Sequence, residues 1–281
     1  MNQFYRPRQF KLLPNAVKNL LIINGLLFAL TVLFENKFMV DLNDKLGLHF
    51  FSAHAFQPFQ LITYMFMHGS FTHLFLNMFA LWMFGSTMEN YWGTKRFLVF
   101  YFFTGIGAAL TQWLVLSFEI MPVVDTFNAY LEHPAHVALS ELFSTGKLTP
   151  ASSEMQASLN EFIEQYNIEM RNDPHAALLL SQRFISDYRD LYLNTPVVVG
   201  ASGAVFGLLL AYGMEFPNQI IYLYFAIPIK AKYFVILYGI LELTQGISGL
   251  EGDNVAHFAH LGGMIFGIFL ILYWRKRRTF L

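Results

Sequence analysis

The chain of 281 residues contains no cysteine and is poor in charge. The missing cysteines exclude disulfides, thiolate nucleophiles and Cys-ligated metal centres, and they leave the redox compartment open. Charged residues make up only 13% of the chain, against about 25% in an average soluble domain. So little charge cannot cover a water-facing surface, which argues against a soluble enzyme; the apolar spans below exclude a soluble lectin, nucleic-acid binder or scaffold. The net charge of −1 gives no electrostatic footprint for nucleic acid. No internal repeat is visible, so the inverted-repeat logic of many transporters finds no support. No small-x-small site closes the first apolar run, so that run reads as a retained span rather than a cleaved signal.

What the chain has instead is apolar length. Hydrophobic residues reach 55% and aromatics 17%, with 31 Phe. A membrane span needs roughly 20 mostly apolar residues, and six candidates appear, at 18–34, 68–88, 97–118, 196–214, 233–245 with some upstream extension, and 255–274. Pro217 and Pro228 interrupt the fifth. Arg6, Arg8, Lys11 and Lys18 precede the first span. Lys95 and Arg96 separate the second from the third, Lys230 and Lys232 the fourth from the fifth, and Arg275, Lys276, Arg277 and Arg278 close the chain. Threading six helices alternately puts all of these on one side, which predicts an integral protein of the plasma (inner) membrane with both termini cytoplasmic.

Between the third and fourth spans, residues 119–195 hold four basic and eleven acidic residues. Leu159, Phe162, Ile163 and Tyr166, then Leu180, Phe184 and Tyr188, recur at helical spacing, with Pro150 and Pro174 as helix starts. The expected organisation is a membrane core built from residues 1–118 and 196–281, divided by an acidic helical insertion at 119–195 on the non-cytoplasmic face.

An ionisable group within a span is costly and points to function. His68, His73 and Asn77 open the second span, and His73 and Asn77 lie one turn apart on one face. Gly200-Ala201-Ser202-Gly203-Ala204-Val205-Phe206-Gly207 opens the fourth. His257, His260, Gly262, Gly263 and Gly267 open the sixth. The threading places all three groups at the outer ends of their spans. Taken singly, each is more often ordinary: serine bonds its own backbone, and Gly-x-x-x-Gly packs helices. Together they supply acyl-transfer chemistry. A serine hydroxyl needs a base, His260 on another helix can serve, and glycine faces let the two backbones approach. His73, Asn77 and the Ser202 amide offer donors for an oxyanion. Asp253 precedes His260 by nearly two turns, roughly 10 Å along the axis, so a Ser–His dyad is the economical reading.

These residues resemble the rhomboid family of intramembrane serine proteases, over all six spans. The resemblance rests on His68-x4-His73-x3-Asn77, Gly200-Ala201-Ser202-Gly203 and Ala259-His260-Leu261-Gly262-Gly263, with Glu89, Gly93 and Arg96 in support. It implies an all-α, six-helix bundle, Ser202 as nucleophile and His260 as base. His73, Asn77 and the Ser202 amide would be the oxyanion contacts, with His68, Gly200, Gly203, Phe206, Gly263 and Gly267 framing the site. It implies transmembrane protein substrates in a lipid bilayer, with no cofactor and no metal. His257 is not carried over. Phe206 stands where the family often has Tyr, and the insertion is outside the common core. The alternative is an inert relative that binds membrane clients. A metal carrier using the four histidines is disfavoured, because no carboxylate joins them at that depth.

Overall fold

The computed structural model describes residues 10–223, 226–248 and 256–278. Arg6, Arg8, Asp253 and the expected start of the sixth span at 255 lie outside the described residues. The helices, in chain order, begin with α1 (Asn15–Phe38), α2 (Leu42–Leu46), α3 (Gln60–Thr63), α4 (Phe71–Ala80), α5 (Ser86–Trp92) and α6 (Thr94–Glu132). They continue with α7 (His136–Ser144), α8 (Ser153–Asn172), α9 (Pro174–Asn194), α10 (Ser202–Glu215), α11 (Ala231–Ser248) and α12 (His257–Arg278). A π-helical turn, Leu81–Gly85, joins α4 to α5.

The chain divides into two compact units, one comprising Met1–Leu48, Phe59–Gln112 and Val198–Leu281, the other His49–Pro58 and Trp113–Val197. In the first unit α10 is the central helix. It buries Gly203, Ala204, Val205, Gly207, Leu208, Leu209, Leu210, Ala211 and Gly213, so it is covered nearly all round. The helices around it turn apolar residues outward. Leu26 and Leu30 on α1, Phe75 and Leu76 on α4, Ile236 and Ile240 on α11, and Phe269 and Leu272 on α12 are all exposed. A surface of this kind is suited to lipid rather than water. By length and composition α1, α6 and α12 can cross a membrane, and the protein is an integral membrane protein. The apolar α10 has only 14 residues, a rise of roughly 21 Å against a hydrocarbon core of about 30 Å.

Four local outcomes differ from the sequence reading. The fourth span, expected from Pro196, has its helix begin only at Ser202, because Val197–Val198 are extended and Gly200 turns the chain. The second span does not open at His68. That residue precedes the helix, which starts at Phe71 after Ser70, whose Oγ accepts the His73 amide at 3.1 Å. The third span does not end its helix at 118. α6 continues through Pro122 to Glu132, because hydropathy marks where a membrane would end and not where backbone hydrogen bonding ends. The upstream extension of the fifth span is not helical. Ile220–Leu223 (β1) and Ile227–Lys230 (β2) form an antiparallel hairpin with Tyr222 opposite Pro228, so the fold is mostly helical rather than wholly so.

α1 begins at Asn15 behind Pro14, which has no side-chain cap to offer. Glu89 of α5 fills that role from a distance. Its two carboxylate oxygens accept the amides of Ala16 and Val17 at 3.0 and 2.9 Å, and Thr94 Oγ1 donates to it at 2.6 Å. A buried anion is tolerable there because the free amides and dipole of a helix N-terminus face it. Glu89→Ala should lower stability by about 3 kcal/mol, since it strands buried donors that had a charged acceptor. Thermal unfolding in detergent measures this, and an unchanged midpoint would mean that α1 is anchored elsewhere.

The second unit has its own core. Phe127, Tyr130, Leu139, Leu142, Met155, Leu159, Phe162, Phe184, Ile185 and Tyr188 are buried together, with Tyr166 and Leu180 packed against them. The Phe162 and Phe184 rings stack at 3.9 Å. Ser152 caps α8, and Asp173 caps α9, which has Pro174 in its first turn. Ile163, expected on the inner stripe, is exposed at its edge.

Candidate active site

The site is assembled where α10, α11 and α12 meet. Gly200 has φ +128°, a backbone state suited to glycine, and its amide donates to the Tyr64 carbonyl at 2.9 Å. This turn delivers Ser202 as the first residue of α10. The Ser202 side chain therefore stands beside the free amides of a helix N-terminus. Across from it, His260 Nε2 lies 2.8 Å from Ser202 Oγ.

Missing side chains make this approach possible. A Cβ on Gly263 would fall inside the carbonyl of Gly203, and one on Gly203 would overlap the Ala108 methyl. A Cβ on Gly267 would lie 3.6 Å from the Gly207 carbonyl oxygen and 3.1 Å from Phe100. α10 and α12 thus touch backbone to backbone, as small residues permit in membrane bundles. Phe206, one turn beyond Ser202, stacks on the His260 ring at 4.2 Å and 5°.

His73 reaches the same place from α4. A Cβ on Gly200 would meet His73 Nε2 at 2.8 Å and Ser202 Oγ at 3.5 Å, so the His73 ring borders the serine turn. Asn77 is buried one turn further along, with Nδ2 donating to the His73 carbonyl at 3.0 Å. His68 is buried with its ring edge against His73, 5.0 Å between centroids.

One residue of this cluster was absent from the sequence reading. Glu242 of α11 is buried, and its Oε2 lies 2.8 Å from His260 Nδ1 and 2.7 Å from His257 Nδ1. A carboxylate does join the histidines at their own depth, which corrects the ground on which a metal role was set aside. The signal was present in the sequence, because Glu242 is the one acidic residue of α11 and an ionisable group in an apolar helix points to function. Glu242, His257 and His260 could together offer ligands to a divalent cation. Their N···O separations of 2.7–2.8 Å are those of proton-bridged pairs. Donors in a tetrahedral zinc site stand roughly 3.3 Å apart, so a metal would have to spread them.

Chemically, the arrangement is a hydroxyl on a helix N-terminus, an imidazole within hydrogen-bond reach of it, and a carboxylate behind the imidazole. Those are the parts of a serine acyl-transfer centre. Comparison with known proteins agrees with the fold around them. The Rhomboid domain family model matches residues 55–123 and 169–277, passing over 124–168 in the second unit. Rhomboid-like protein 11, chloroplastic, of Arabidopsis thaliana is 33% identical over 193 residues, covering 64% of this chain and 65% of that one. RHOMBOID-like protein 12, mitochondrial, of the same plant is 25% identical over 252 residues, 89% of this chain and 55% of its own length. An uncharacterised mitochondrial rhomboid protein of Schizosaccharomyces pombe is 24% identical over 294 residues, 98% and 69% of the two chains. The chain thus spans about two thirds of the first of these relatives and about half of the second. With more than half of its residues matched by that family model, including both helices that carry Ser202 and His260, the chain belongs to the rhomboid family.

Proposed function

We propose that this rhomboid is an intramembrane serine endopeptidase that cuts transmembrane substrates near the non-cytoplasmic membrane face. The observation that carries this reading is the 2.8 Å contact between Ser202 Oγ and His260 Nε2. His260 takes the serine proton as Oγ attacks the scissile carbonyl carbon. The π electron pair of the carbonyl moves onto its oxygen; that pair then re-forms the C=O as the C–N bond breaks, and His260 gives its proton to the leaving amine nitrogen. Water hydrolyses the resulting ester by the same route. His73, Asn77 and the first amides of α10 are the donors toward the developing oxyanion. The short α10 supports a water-accessible site, since the non-helical turn before Ser202 needs protein or water around its backbone. We further propose six membrane passages, with α4–α5, α10 and α11 adding to the three long helices, and both termini on the Lys- and Arg-rich side.

A fluorophosphonate serine probe tests the reading. It should label the parent protein and not Ser202→Ala, and the parent should cleave a model transmembrane substrate at one peptide bond. Absence of labelling and cleavage together would leave an inert, client-binding rhomboid. Within an active enzyme, His73→Ala should lower kcat by about 10²–10³ with little change in KM, the scale of one lost oxyanion donor. A change confined to KM would make His73 a substrate contact.

A further inference from the structure

We infer that Glu242 is a positioning residue for His260, turning the expected dyad into a Ser–His–Glu triad whose acid His257 also holds. This rests on the protease reading above. A carboxylate oxygen only accepts hydrogen bonds, so both imidazoles facing Oε2 donate from Nδ1. For His260 that fixes the tautomer. Its proton sits on Nδ1, and the Nε2 lone pair is left facing Ser202 Oγ–H. The opposite tautomer would present an N–H to the serine and could not take its proton. Once the proton has moved, His260 is an imidazolium with the Glu242 charge 2.8 Å behind it.

His257 explains how such an acid can be kept there. The side chain of Glu242 is 8% exposed, and a buried carboxylate needs more than one donor. His257 and His260, three residues apart on α12, share a face and put two donors on one oxygen. Gly246, one turn beyond Glu242, lets α11 come this close. A Cβ there would be 3.2 Å from His257 Cβ and 3.1 Å from the Phe258 ring. Phe206 holds the plane of the His260 ring by stacking, so the imidazole is fixed at its face by Phe206 and at its edge by Glu242.

The test is Glu242→Gln, which keeps the shape and removes the charge, with kcat counted per centre titrated by the fluorophosphonate probe. The expected result is a fall in kcat of about a hundredfold with KM within roughly twofold of the parent. Glu242→Asp should recover part of it. In ¹⁵N-histidine-labelled protein, His260 should carry its proton on Nδ1 in the parent and lose that preference in Glu242→Gln. Parental kcat per titrated centre in Glu242→Gln would overturn the inference, even if the variant were less stable. So would activity lost to a chelator and restored by Zn²⁺, because the three side chains would then be metal ligands. If the parent neither labels nor cleaves, the protease reading fails. The tautomer of His260 in Ser202→Ala then decides the role of Glu242 alone, with Nδ1–H supporting it and Nε2–H overturning it.

Discussion

Alanine at Ser202 and alanine at His260 should each cut the turnover of a transmembrane substrate by about 10⁵–10⁶-fold, and the double variant should lose no more than either. In the proposed mechanism Ser202 Oγ and His260 Nε2, 2.8 Å apart, act as one unit: the hydroxyl is a weak nucleophile without the imidazole, and the imidazole has nothing to activate without the hydroxyl. At 1.36 kcal/mol per factor of ten, the loss corresponds to about 7–8 kcal/mol of transition-state stabilisation. Ser202→Ala removes only a hydroxyl, so its unfolding temperature should remain near the parent's; His260→Ala empties a buried place beside Phe206 and leaves Glu242 with one donor fewer, so its midpoint should fall while the protein still folds. Probe labelling followed by single-turnover cleavage measures the effect. A His260→Ala variant that still cuts at an appreciable rate would mean that another base reaches Ser202. His257→Ala should be milder, because its ring is bonded to Glu242 and is not the partner of the serine.

The second large effect is structural and then catalytic. Gly263→Ala adds one methyl where the Gly203 carbonyl already stands, and neither backbone can swing aside as a flexible side chain would. α10 and α12 must separate. The expected cost is about 3 kcal/mol, the upper end for overpacking. The same separation draws His260 away from Ser202, one residue before Gly203, and a misplacement of about 1 Å costs on the order of 10² in rate. Gly239→Ala on α11 is the control. A Cβ there meets only Met264 at 3.6 Å, so it should be neutral or stabilising, by up to about 1 kcal/mol of helix propensity. Unfolding midpoints and probe labelling together decide. Parental values for Gly263→Ala would show that the two helices do not pack through these glycines.

Much of this site could be read from residue types and their positions in apolar runs. Serine, histidine and glycine at the starts of three spans are unusual enough to be noticed, and their roles follow from what each can donate or accept. Glu242 was harder to see because its partners are 15 and 18 residues away, on the next helix. Only the packing of α11 on α12 makes it a neighbour of His260. Pro217 and Pro228 also interrupt the apolar run before α11, so hydropathy marks that span weakly and its single acid does not stand out against it. The hairpin of β1 and β2 was hidden for a different reason. Ile220 to Leu223 and Ile227 to Lys230 are mostly apolar, and a short apolar run fits a strand as well as a buried helix. In the second unit the helical spacing was plain, but the width of the buried stripe was not: Ile163 satisfies the same period as Phe162 and still faces out.

The π turn at Leu81–Gly85 has a consequence for the helix that contains it. Successive α-helical side chains step round the axis by about 100°, so positions 77 and 89, twelve steps apart, would point about 120° from each other in an unbroken helix. A π turn takes up about one extra residue, which leaves eleven effective steps and brings the two to within about 20°. Asn77 and Glu89 are both buried, at 6% and 3% exposure, one donating to the His73 carbonyl and the other on the start of α1. The turn works as a phase correction that sets a donor at one end and an anchoring carboxylate at the other on a single meridian. An insertion or deletion of one residue within 81–85 would leave the hydropathy of the span untouched and detune one end against the other.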